Sequence, residues 1–170
     1  SVSVYTFQQG STIELLSANY SNFRIIDLDN DGRQDLFLVR FDADLQTGTA
    51  ELYRYSDGMM VRDPELMLSG SAGAVRRMTT GMMDENVPAV FVASVLDDNQ
   101  VVTDVFAIRD GVMQNVASAH AAASSMSVRN YYAYATDIDG DGLIELPDVQ
   151  SLPDWKDAED DTAFRVIQWY

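Results

Sequence analysis

The chain has 170 residues, 46% of them hydrophobic, which suffices for one domain with a sizeable core. Its 27 acidic against 11 basic residues give a net charge of −16 and argue against nucleic acid or an anionic membrane surface as partner, because both are bound chiefly through positive charge. No apolar run approaches the ~20 residues of a transmembrane helix, and with no cysteine there is neither a disulfide framework nor thiol chemistry.

From the N-terminus, Val2 to Phe7 alternates as a half-buried strand, Gln9-Gly10-Ser11 turns, and Thr12 to Leu16 reads as a second strand. Residues 1–20 are therefore expected to cap or close the fold, either completing its last unit or covering a sheet edge. Phe23 to Ile26 and Leu36 to Phe41 are two short β-forming runs around an acidic loop, Asp27 to Asp35. A polar excursion (Asp42 to Thr49), a strand (Ala50 to Tyr55), a Ser56-Asp57-Gly58 turn and a strand-like piece from Met59 to Leu68 follow. About 53 residues on, the pattern returns: Ala89 to Val95, the excursion Asp97 to Gln100, Val101 to Ile108, the turn Arg109-Asp110-Gly111, and Val112 to Val116. A third copy starts near Tyr131 and ends in Phe164 to Tyr170. These residues form about three units, 21–72, 73–125 and 126–170, within a single domain, and a period of this size points to propellers and related arrays. The predicted fold is all-β: repeated antiparallel blades, fewer than the usual four to eight of a propeller, in a partial or open arrangement.

The loop Asp27-Leu28-Asp29-Asn30-Asp31-Gly32-Arg33-Gln34-Asp35 recurs as Asp137-Ile138-Asp139-Gly140-Asp141-Gly142-Leu143-Ile144-Glu145, each with carboxylates at positions 1, 3, 5 and 9 and glycine at 6. Ca²⁺ takes six to eight hard oxygen ligands, and glycine at position 6 permits the reversal that brings both ends to one ion. An EF-hand is not indicated for the first loop, whose position 12 is Leu38 and whose flanks are strand-like. In the second loop Ile144 at position 8 and Asp148 at position 12 leave a twelve-residue register open, although Tyr131 to Thr136 enters as a strand and Pro147 interrupts any exiting helix. The matching stretch of the middle unit, Thr80 to Pro88, keeps only Asp84 at a ligand position and has Glu85 in place of the glycine, so no metal is expected there.

These residues resemble the FG-GAP and VCBS repeats, whose loop Asp-x-Asp-x-Asp-Gly-x-x-Asp precedes an apolar strand. Asp27 to Asp35 followed by Leu36 to Val39 matches in full, and Asp137 to Glu145 matches with Glu for the last Asp. The resemblance implies four-stranded propeller blades with Ca²⁺ between the first two strands of a blade, as in integrin alpha-subunit heads and, closer to this chain, bacterial surface proteins and lipoproteins. The signatures that name the integrin version are absent. Two ions are implied, one held by Asp27, Asp29, Asp31 and Asp35 with the Arg33 carbonyl, the other by Asp137, Asp139, Asp141 and Glu145 with the Leu143 carbonyl. External millimolar calcium would saturate even weak sites of this kind and stabilise a fold without disulfides, which points to a secreted or cell-surface location.

Catalysis has little support. His120, the only histidine, lies in a small-residue connector, and no nucleophile motif or phosphate loop accompanies it. Asp154 to Asp161 reads as a solvated acidic loop without ligand spacing. Met59, Met60, Met67, Met78, Met82 and Met83, with Tyr5, Phe7, Tyr131, Tyr132, Tyr134, Trp155, Trp169 and Tyr170, read mainly as core, with the Trp155 loop and the Tyr131-Tyr132 pair as the places for a binding patch. The expected function is that of a monomeric, non-catalytic module binding a protein or glycan. The alternative is an accessory or structural domain of a larger extracellular carbohydrate-active or peptidase chain.

Overall fold

The computed structural model describes residues 1–42, 44–70, 75–95, 101–117, 126–127, 134–156 and 163–169, and among these all regular structure is antiparallel β-sheet, with no helix. The chain opens with a hairpin of β1 (Val2–Gln8) and β2 (Ser11–Ala18), turned through Gln9 and Gly10 at positive φ. A first central sheet follows in the order β3 (Asn22–Ile26), β4 (Asp35–Asp42), β5 (Thr47–Ser56), β6 (Met59–Arg62), with β7 (Leu66–Met67) also paired to β5. The second has β8 (Val75–Asp84), β9 (Val87–Val95), β10 (Val101–Arg109) and β11 (Val112–Asn115), with β12 (Met126–Ser127) paired to β10. A last hairpin consists of β13 (Pro147–Lys156) and β14 (Ala163–Trp169).

The two central sheets are built alike down to single hydrogen bonds. Asp57-Gly58 and Asp110-Gly111 both turn with positive φ, 50° and 86° in the first, 53° and 79° in the second, the mirror-image turn that suits twisted hairpins. After each turn the Asp63 N–H donates to the Leu52 carbonyl at 2.9 Å, and the Val116 N–H to the Val105 carbonyl at 2.8 Å.

Several expectations from the sequence change. Met59 to Leu68 is two strands, because Pro64 has no N–H to continue the ladder. The polar excursion after β4 is short, since the ladder runs on to Asp42 opposite Thr47. In the middle unit Thr80 to Asp84 lies in β8, and the stretch aligned with the acidic loop is a tight turn through Glu85 and Asn86, the latter at φ 59°, a region Asn tolerates. The strand pairing is one residue out of step with the repeat read from the sequence. Tyr53 stands opposite Leu36, but the equivalent Phe106 stands opposite Val90 and not Ala89. One residue exchanges the faces of a strand, so the counterparts of Phe37 and Leu38 are Phe91 and Val92.

Those faces build the core. Phe37, Val39 and Leu52 of the first sheet pack on Val90, Val92 and Phe106 of the second, the two phenyl rings 5.4 Å apart. The opposite face of the second sheet, Ala89, Phe91, Val105 and Ala107, packs with Ala117, Ala135, Ile144 and Leu146. The opposite face of the first, Leu36, Leu38 and Tyr53, is covered by Val2, Val4, Leu16 and Ala18 of the N-terminal hairpin. Among the described residues the strands of that hairpin pair only with each other, and it meets the first sheet through side chains. The unpaired apolar face of the first sheet is what it buries, at about 25 cal/mol per Å² of apolar surface.

Polar side chains stitch the same seams. Asp104, buried, accepts from the Ser69 N–H at 2.9 Å and from Asn115 Nδ2 at 2.7 Å, and Asp63 accepts from the Met113 N–H at 2.8 Å. At the position in β5 that matches Asp104, the buried carboxylate of Glu51 is paired with Arg40 and with the Tyr53 hydroxyl.

Candidate metal sites

The first acidic loop connects β3 to β4, and the second connects Thr136 to Glu145, which face each other in an isolated antiparallel bridge. In both loops the chain reverses at positions 4 and 6 in the left-handed region: Asn30 (φ 59°) and Gly32 (φ 84°) in the first, Gly140 (φ 82°) and Gly142 (φ 93°) in the second. A Cβ at Gly32 or Gly142 would have open space but a strained backbone, so the conformation and not crowding selects glycine.

The carboxylates fold inward onto the loop's own peptides in a repeated pattern. The position 1 carboxylate accepts from the glycine N–H at position 6, Gly32 to Asp27 at 2.9 Å and Gly142 to Asp137 at 3.1 Å. Position 3 accepts from position 5, Asp31 to Asp29 at 3.2 Å and Asp141 to Asp139 at 3.1 Å. Position 5 accepts from position 7 at 2.8 Å in each loop, the donors being Arg33 and Leu143. Position 9 reaches back to the N–H of position 2, Leu28 to Asp35 at 3.0 Å and Ile138 to Glu145 at 2.9 Å.

This folding brings oxygens of Asp137, Asp139, Asp141 and Glu145 within 4.8 Å of one another, and likewise oxygens of Asp27, Asp29 and Asp35. Two oxygens on one Ca²⁺, each 2.3–2.6 Å from the ion, stand no more than about 5 Å apart, so both groups have the donor chemistry and span for that ion. Asp31 lies outside the first group. The side chain of Arg54 approaches the first loop, donating to Asp29 at 3.4 Å, to Asp63 at 2.6 Å and to the Gly111 carbonyl at 3.0 Å. Among the described residues no cation pairs with the second loop. The exit from that loop is β13, not a helix, so the flank needed for an EF-hand register ending at Asp148 is a strand.

Electrostatics differ within the first loop. Asp35 is 3% exposed, and its carboxyl is pushed up to about 6, first by burial and then by the charges of Asp29 and Asp31, against the opposing Leu28 N–H and the Arg54 guanidinium. Both loops also touch the second sheet. Asn30 Nδ2 donates to the Asn86 carbonyl at 2.9 Å, and the Ile144 N–H to the Met82 carbonyl at 2.7 Å, with Leu143 and Met82 in a parallel bridge.

Sequence reasoning missed Arg54, which no loop pattern signals, and Asn86, which stands at the turn it aligned with a lost metal loop. Of the aromatic and methionine side chains, Met78 is core, whereas Tyr5 (56% exposed), Phe7 (73%), Met59 and Met67 are at the surface. His120, Tyr131, Tyr132 and Tyr170 lie outside the described residues, as do 157–161 of the acidic stretch. No family model, curated protein or solved structure matches the chain.

Proposed function

We propose that the chain is a calcium-stabilised, β-propeller-like, non-catalytic binding module of the FG-GAP and VCBS kind, displayed outside the cell, with the two central sheets as blades and a third begun at the second loop. The observation that carries this reading is the shared skeleton of the two loops: four matching carboxylate-to-peptide hydrogen bonds and left-handed residues at positions 4 and 6 of each. Carboxylates held this close repel one another in water, and a divalent ion offsets that repulsion while fixing the two connections. Asp27, Asp29, Asp35 and the Arg33 carbonyl would supply the first ion, joined by Asp31 once its carboxylate swings from the Arg33 N–H toward the other three. Asp137, Asp139, Asp141, Glu145 and the Leu143 carbonyl would supply the second. The bound partner is a protein or a glycan, met by a surface that is acidic overall.

Calorimetric titration of calcium into chelator-stripped protein tests the proposal. Two sites are expected, with Asp29→Ala removing one and Asp139→Ala the other, and calcium raising the melting temperature by mass action. Unchanged stoichiometry in both variants, or no binding by the unmutated protein, refutes it.

A further inference from the structure

In this acidic chain the other arginines of the first sheet are neutralised: Arg40 and Arg62 reach Glu51 and Glu65, and Arg54 reaches Asp63 and Asp29. Arg24, Arg76 and Arg77 meet no carboxylate among the described residues, and all three line one cleft of about 550 Å³ together with Asn22, Thr79 and Thr80. The cleft lies between β3 and β8, which are the outer strands of the two central sheets. We propose that this cleft is a binding site for an oxoanion, the carboxylate or sulfate group of a small polar ligand such as an acidic sugar.

The geometry is built for it in three ways. Consecutive residues of a regular strand point to opposite faces, yet Arg76 and Arg77 share the cleft because the pairing of β8 with β9 slips between Val75 and Arg77, leaving Arg76 as the extra residue of a bulge. Bulges of this kind re-aim side chains. Arg24 is fixed in advance: its guanidinium crosses from the first sheet to the second, donating to the Met78 carbonyl at 2.6 Å and to its neighbour Phe23 at 2.8 Å. Arg77 is steadied by the Tyr134 ring, with its guanidinium carbon 5.7 Å from the ring centroid, a cation–π contact.

The ligand class follows from these donors. Arginine presents a planar fork that matches a carboxylate or a sulfate with two parallel hydrogen bonds, and the threonine hydroxyls and the Asn22 amide add neutral donors and acceptors. The volume accommodates a sugar-sized molecule, and the lining lacks the apolar walls that a hydrophobic ligand requires. With a net charge of −16 the protein repels anions at long range, so affinity must come from contact at the cleft and not from a steering field.

Titration of the whole chain, calcium-free, with sodium glucuronate and with sodium sulfate, each against sodium chloride at matched ionic strength, tests this. Saturable binding by either probe above the chloride control is expected. In the double variant Arg76→Gln, Arg77→Gln binding should weaken by about tenfold or more, as expected for lost charge-assisted hydrogen bonds, while its melting temperature without ligand stays near that of the parent because both side chains are exposed. Stronger glucuronate binding assigns the site to carboxylates, and stronger sulfate binding to sulfated ligands. A response no larger than that to chloride, or equal binding by the double variant, overturns the proposal and leaves the arginines as charges that keep two sheet edges from pairing.

Discussion

Replacement of Asp35 by Asn should invert the usual penalty for altering a buried polar residue, provided calcium is absent. The folded carboxyl is raised from 3.8 to about 6, so between those values the native state holds a proton that the unfolded chain has released. Stability then falls as pH rises through that window, because the unfolded state binds fewer protons there. At about 1.4 kcal/mol per pH unit, the contribution lost between pH 4 and pH 7.5 is about 2 kcal/mol. Asn has nearly the same shape, cannot ionise, and keeps an oxygen to accept the Leu28 N–H. Urea denaturation of chelator-stripped protein at both pH values should therefore show the parent losing about 2 kcal/mol more than Asp35→Asn. With calcium the order should reverse at pH 7.5, since the ion needs the carboxylate and the variant has lost it. Parallel pH profiles of parent and variant in chelator would refute the claim that a buried charge at Asp35 strains the metal-free loop.

Three further substitutions test separate parts of the structure. Arg54→Gln should tighten calcium at the first loop by roughly tenfold, because a unit positive charge near a divalent ion is removed, and leave the second loop unchanged in titration calorimetry. The same variant should lower metal-free stability by about 3 kcal/mol, since Asp63 loses the partner of a buried charge. Phe106→Ala, removing a fully buried ring at the seam of the central sheets, should cost about 3–5 kcal/mol in denaturant unfolding. Gly70→Ala should cost about 1–3 kcal/mol, because its Cβ would sit 2.6 Å from the Val95 carbonyl and press on Ser94 Oγ.

Much of this architecture was legible because it is local. Val2 to Phe7, Leu36 to Phe41 and Val101 to Ile108 alternate or run apolar over strand lengths, and the paired Asp-Gly turns at 57 and 110 fix hairpins by their φ requirement alone. The two acidic loops were legible for the same reason, since carboxylate spacing and the position 6 glycine are properties of nine consecutive residues. What escaped depends on contacts far apart in sequence. The one-residue offset of β9 is set by its pairing with β10, where Val95 meets Val101 across one more intervening residue than separates Asp42 from Thr47 in the first sheet, whereas the repeat pattern alone aligns Leu36 with Ala89. The face chosen by the N-terminal hairpin depends on Leu36, Leu38 and Tyr53 being left bare, which requires knowing which side Phe37 and Val39 take. Arg24, Arg76 and Arg77 meet only because a bulge and two sheet edges coincide.

The repeat also explains why the acidic loops and the hydrophobic seams bear on one another. Each central sheet buries one face on its neighbour, so the registration of neighbours has to be set by something other than apolar contact, which is non-directional. Directional bonds do this at several points along the seams. Asn30 of the first loop bonds Asn86 of the second sheet, Ile144 of the second loop bonds Met82, Arg54 spans Asp29, Asp63 and Gly111, and Asp104 holds Ser69. Three of these four contacts include a residue of an acidic loop. A loop frayed by its own charge repulsion therefore weakens the packing beneath it as well as its own turn. On this argument a stabiliser of the loops acts on the stack of sheets as a whole, and its effect should appear as a shift of the single global unfolding transition rather than as a separate local one.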